Sequence, residues 1–161
     1  MTLVTIGDSD VRMVALVDVT VVQGDRARSR SVSCRLRADW ACRARRWRPS
    51  DQREGGLVLN VDPVPRRHQF LVSLERPHDG GSFTLDTGVV SLPNAQRERG
   101  EMAIEGMGTL ELTASPRGSS MQRIDVRELN GAAAIARAAA DAVGASAINA
   151  APSRPLVWRW K

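Results

Sequence analysis

Residues 11–21 read VRMVALVDVTV, and every odd position from Val11 to Val21 is apolar. The alternate phase holds the polar Arg12, Asp18 and Thr20 together with the apolar Val14 and Leu16. Successive side chains of a strand point to opposite faces. A period of two rich in β-branched residues therefore predicts a strand, covered on both faces for part of its length. Gly24-Asp25 ends it.

The next stretch alternates more cleanly. From Val32 to Ala44 the even positions are Val, Cys, Leu, Ala, Trp, Cys and Ala, and the odd ones include Arg35, Arg37, Asp39 and Arg43. This pattern predicts one long strand, or two strands turning near Asp39. Shorter strands are predicted over 57–61, 69–75, 82–85, 89–92, 102–113 and 122–128. Gly55-Gly56, Pro63 with Pro65, Asp79-Gly80-Gly81, Pro93-Asn94 and Pro116-Arg117-Gly118 supply the turns between them.

Asn130 has the chemistry of an N-cap, opening a helix over about 131–143 that Gly144 ends. Ile135, Ala138, Ala139, Ala142 and Val143 form its apolar stripe, small enough to lie close against a sheet. Beyond Pro152 and Pro155 the alternation returns, with Leu156, Trp158 and Trp160 sharing a phase. The expectation is a mainly β chain, a single domain over 1–161. It is a β-sandwich or barrel of about eight or nine strands with the one late helix packed on it.

Composition allows a real core: the chain has 161 residues and is 42% hydrophobic. All of its 23 basic residues except Lys161 are arginines, and Tyr is absent. A GC-rich coding bias produces such a profile, so arginine content by itself points to no partner. Its distribution is more informative. Residues 1–25 carry Arg12 against Asp8, Asp10, Asp18 and Asp25, a net of −3. Residues 26–53 carry ten arginines against Asp39 and Asp51, a net of +8. The remainder balances, so the whole formal excess of +5 lies in one window beside an acidic segment. Coding bias cannot place charges in that way.

Residues 1–8 lack a basic start and a long apolar run, so no leader is expected. The alanine-rich tract over 132–151 contains Arg137 and Asp141 and is not expected to enter a membrane. Two cysteines make no disulfide framework, which fits synthesis in a reducing cytoplasm.

Catalytic equipment is thin. Lys161, the sole lysine, suits neither a phosphate loop nor a Schiff base. Cys34, Cys42, His68 and His78 match zinc in number, but their spacing is unlike that of paired zinc ligands. Two buried thiols and two loop histidines are expected instead. A turn near Asp39 would set Cys34 opposite Cys42, though Ala38-Asp39 lacks a turn-favouring glycine. His78, Asp79 and Ser82 stand together in PHDGGSF (77–83), where Asp-Gly-Gly reads as a turn and not as part of a triad. EGMGTLE (105–111) holds two glycines within a strand pattern and reads as a bulge. The expectation is no enzyme, no cofactor and no metal.

Arg35, Arg37, Arg43 and Arg45 share one phase of the basic stretch, and Arg46, Trp47 and Arg48 extend it. Such a row can meet carboxylates of a neighbouring protein through bidentate guanidinium contacts. It can equally neutralise phosphates, with Trp47 as a stacking surface. The first alternative is favoured. It gives a structural subunit that assembles with copies of itself and with other assembly proteins, as in a virion (capsid decoration, tail or connector). The −3 and +8 segments would make complementary contacts, and Trp158 and Trp160 would serve as interface or core anchors. The rival is a nucleic-acid-binding β-domain using the face at 35–48. No membrane partner is expected.

Overall fold

A computed structural model describes residues 1–22, 30–35, 41–43, 52–53, 56–61, 67–87, 95–108, 110–115, 121–129 and 156–160. Ten strands lie among them: β1 (Thr2–Ile6), β2 (Asp10–Thr20), β3 (Arg30–Arg35), β4 (Ala41–Arg43), β5 (Gln52–Arg53), β6 (Gly56–Val61), β7 (Arg67–Pro77), β8 (Gly100–Gly106), β9 (Met121–Arg123) and β10 (Leu156–Trp160).

Seven strands form one mixed sheet in the order β4-β7-β2-β1-β8-β10-β9. Its β1–β8 pair is parallel and its other pairs are antiparallel. A separate three-stranded sheet has the order β3-β6-β5. The chain is therefore mainly β. The expected count of strands falls short, and the seven-stranded ladder does not close into a barrel among the described residues. The helix expected over 131–143 and the strand expected over 89–92 lie outside the described residues.

The period of two in residues 11–21 becomes β2, which pairs with β7 along its full length, from Asp10↔Pro77 to Thr20↔Arg67. Register then carries the apolar phase across the sheet. Leu74, Met13, Val4, Ile104 and Leu156 stand in one cross-strand row. Val72, Ala15, Thr2, Met102 and Trp158 stand in the next. Val4, Ile6, Val11, Met13, Ala15, Phe70, Val72, Leu74, Met102 and Ile104 make one buried cluster. Adjacent cross-strand pairs of this kind are the unit of sheet stabilisation.

This face is covered by irregular chain. Leu85, Leu110, Leu112 and Ala114 pack against the cluster. The strand expected over 102–113 ends as β8 at Gly106, because Gly108 takes φ +68° and turns the chain. EGMGTLE is thus a strand end and reversal, where a bulge was expected. Leu110 and Leu112 fold back so closely that a Cβ on Gly106 would stand 3.3 Å from each. Residues 82–85 are likewise irregular, and the strand expected over 122–128 stops at Arg123. A single 3-10 turn follows at Val126–Glu128, capped by the Asp125 carboxylate.

The opposite face is apolar in the middle and charged at both margins. Val14 and Ala103 are only 5% and 4% exposed, although neither belongs to the core cluster. This fits the cover on both faces that the two apolar phases of residues 11–21 predict. At one margin Arg12 Nε meets Asp10 Oδ2 at 2.7 Å and Glu75 Oε1 at 3.6 Å. Beside them Thr5 Oγ1 donates to Glu105 Oε1 at 2.9 Å. At the other, Arg67 Nη2 meets Asp18 Oδ2 at 3.0 Å and Arg159 Nη2 meets Glu101 Oε1 at 2.8 Å.

Candidate interface

The described parts of the basic stretch lie in two strands, β3 and β4. Arg35 ends β3 and pairs with Gly56 in the three-stranded sheet. Arg43 ends β4 and pairs with Ser73 at the edge of the seven-stranded sheet. Residues 36–40, on which the two alternatives for 32–44 turn, lie outside the described residues. The two pieces belong to different ladders because each finds a different partner strand. Arg37, Arg45, Arg46, Trp47 and Arg48 lie outside the described residues, as does Trp40.

The same division separates the cysteines along the backbone. Cys34 pairs with Leu57 and Cys42 with Leu74, so they are not opposite each other in a hairpin. Trp158 pairs with Met102 on one side and Arg123 on the other; Trp160 pairs with Gly100 and Met121. Their strand is interior to the sheet, between β8 and β9.

The acidic segment is largely engaged within the chain. Asp10 holds Arg12, and Asp18 accepts from Arg67 Nε at 3.1 Å and from Gln69 Nε2 at 3.2 Å. The Arg67 hydrogen bond keeps the Asp18 carboxyl below its ordinary range, against a smaller opposing effect of burial. Asp8, in the β1–β2 turn, is exposed and has no ion pair among the described residues.

Of the two histidines expected in loops, His78 lies in one and His68 does not. His68 lies within β7, stacked on Phe70 with ring centroids 6.3 Å apart. His78 follows the far end of the same strand. Ten residues of extended chain span about 33 Å, too far for both to hold one metal ion. Among the described residues, no group of three or more His, Cys, Asp or Glu side chains is placed to hold a metal ion.

The His78 ring is instead fastened to backbone. Its Nε2 lies 2.9 Å from Gly7 O, and Gly80 N–H donates to its Nδ1 at 3.0 Å. The backbone N–H of His78 donates to Ser9 O at 2.9 Å, and the Phe83 ring lies against the imidazole with centroids 4.2 Å apart. Both ring nitrogens are committed, so the ring braces two turns. Gly80 and Gly81 have φ +78° and +73°, which bears out Asp-Gly-Gly as a turn. Sequence reasoning missed this brace, and its only local signal is the His-x-Gly spacing. No family model, curated protein or solved structure matches the chain.

Proposed function

We propose that this chain is a non-enzymatic structural subunit that assembles with copies of itself through its basic segment, as virion components do. The observation that carries the reading is the +8 window over 26–53, which contains β4, an edge strand of the larger sheet among the described residues. An edge presents unpaired backbone groups, and a charged edge selects what pairs with it. Arg43 stands at that edge by its register with Ser73. Asp10 and Asp18 already hold Arg12 and Arg67, so the carboxylates that meet the arginines of a neighbouring copy are others, with Asp8 an exposed candidate that has no ion pair among the described residues.

The late helix belongs to the same reading. A helix over 131–143 is roughly 20 Å long. Four strand spacings, from β10 to β7, come to about 19 Å. The burial of Val14 and Ala103 supports a cover on that face, and a helix expected from the alanine stripe would supply one.

Sedimentation velocity of the wild type beside Arg35→Glu/Arg43→Glu tests the assembly. Self-association by the wild type and its loss in the variant support it. Wild-type protein that sediments as a monomer at every concentration refutes it. The second reading, nucleic-acid binding by the 35–48 face, is favoured by Trp47 standing among Arg45, Arg46 and Arg48. It requires affinity for DNA or RNA that falls steeply with salt.

A further inference from the structure

We propose that His78 is an acid-sensitive clasp, holding the 79–82 turn against the β1–β2 turn only while its ring is neutral. The hydrogen bonds fix the tautomer. Gly80 N–H has no role except donor, so Nδ1 must be the accepting nitrogen. The proton of the neutral ring then sits on Nε2 and is donated to Gly7 O. The ring therefore joins two turns that are far apart in sequence, the one between β1 and β2 and the one that follows β7.

Protonation affects the two bonds differently. The imidazolium still donates from Nε2 to Gly7 O. At Nδ1 it now carries a proton that faces the Gly80 N–H, so an acceptor becomes a second donor and the bond is lost. Proton uptake and release of Gly80 are thus one event, and imidazoles in general titrate between pH 5 and 8. Gly80 and Gly81 both occupy the left-handed region, and a Cβ on Gly81 would meet nothing within 4 Å.

Charged residues flank the ring in sequence on both turns that it joins. The β1–β2 turn brings Asp8 and Asp10. The histidine's own strand and turn bring Arg76 and Asp79. Carboxylates predominate, and Asp79 and Asp8 are exposed with no ion pair among the described residues. Once the turn lets go of Nδ1, an imidazolium can meet one of them. In the closed geometry Gly80 stands in that place.

Nuclear magnetic resonance of the labelled protein tests the clasp. Long-range ¹⁵N correlation at about pH 8 should show the Nε2–H tautomer of His78. A nitrogen–nitrogen coupling across the hydrogen bond should link Gly80 N to Nδ1. Near pH 5 the coupling should vanish, and backbone relaxation should report increased motion at Gly80, Gly81 and Ser82. His78→Asn supplies the control, because an asparagine oxygen accepts from the N–H two residues on and does not titrate. That variant should keep a rigid turn at both pH values. An Nδ1–H tautomer, or a wild-type turn equally rigid at both pH values, would overturn the proposal. So would acid mobility in His78→Asn equal to that of the wild type.

Discussion

Arg159 of β10 and Glu101 of β8 stand directly opposite in register, and the guanidinium Nη2 comes within 2.8 Å of the carboxylate. The same nitrogen donates to Glu128 O at 2.8 Å. One side chain therefore ties the interior strand β10 to its neighbour and to the turn after β9. The Glu101 side chain is only 12% exposed, so removing the arginine leaves a poorly solvated carboxylate. Arg159→Ala should lower stability by about 1–3 kcal/mol in chemical denaturation. Arg159→Lys, which lacks the guanidinium fork, should recover only part of it. An alanine variant as stable as the wild type would remove this tie from the account.

Met13 stands in the row from Leu74 to Leu156 and is fully buried between Leu74 and Val4. Met13→Ala should cost about 2–5 kcal/mol, the loss of transfer energy plus a cavity. Val14→Ala on the opposite face should cost less than Met13→Ala, with fewer atoms removed. If both were neutral by thermal and urea unfolding, the two-sided burial of β2 would be wrong.

Asp18 provides a pH test. Its carboxyl is held below the usual range first by the Arg67 hydrogen bond. A depressed carboxylate contributes stability that is present above the unfolded value. That contribution is lost as pH falls through the folded value. Stability of the wild type should therefore decline on acidification below about pH 4, and the decline should be shallower in Arg67→Ala. In that variant the Asp18 titration, followed by carbonyl chemical shift, should move up toward the ordinary carboxylate value. An unmoved midpoint would contradict the pairing.

Gly108 turns the chain off β8 at φ +68°, which lets Leu110 and Leu112 return over the core. Gly108→Ala should destabilise by about 1–2 kcal/mol through the left-handed strain alone. A Cβ there would have no close neighbour, its nearest contact being Asp8 Oδ1 at 3.9 Å. Gly106→Ala tests the packing instead, since its Cβ would press on Leu110 and Leu112.

Much of the sheet was legible from local pattern. Residues 11–21, 69–75 and 156–160 alternate strongly, and β2, β7 and β10 appear where the alternation predicts. Thr2–Ile6 carries no such signal. Its two phases, Thr2-Val4-Ile6 and Leu3-Thr5, differ little in polarity, so the alternation carries no contrast. Its place in the sheet depends on parallel pairing with β8, about a hundred residues away, for which no local signal exists. Residues 110–115 misled in the opposite sense. They alternate inward and outward as a strand does, but they cover the core without joining the ladder. The arginine row was legible as chemistry and not as geometry. Its regular phase concealed that Arg35 and Arg43 belong to different sheets.

The central claim is self-assembly through the basic segment, and light scattering of the wild type coupled to size-exclusion chromatography tests it most directly. The molar mass should exceed the 17.5 kDa of one chain at about 50 mM salt and fall toward it as salt screens the charged contacts. In the same buffers a labelled oligonucleotide should fail to co-elute. A species of one-chain mass at low salt that carries the oligonucleotide, and releases it at about 200 mM salt, would contradict assembly and establish nucleic-acid binding in its place.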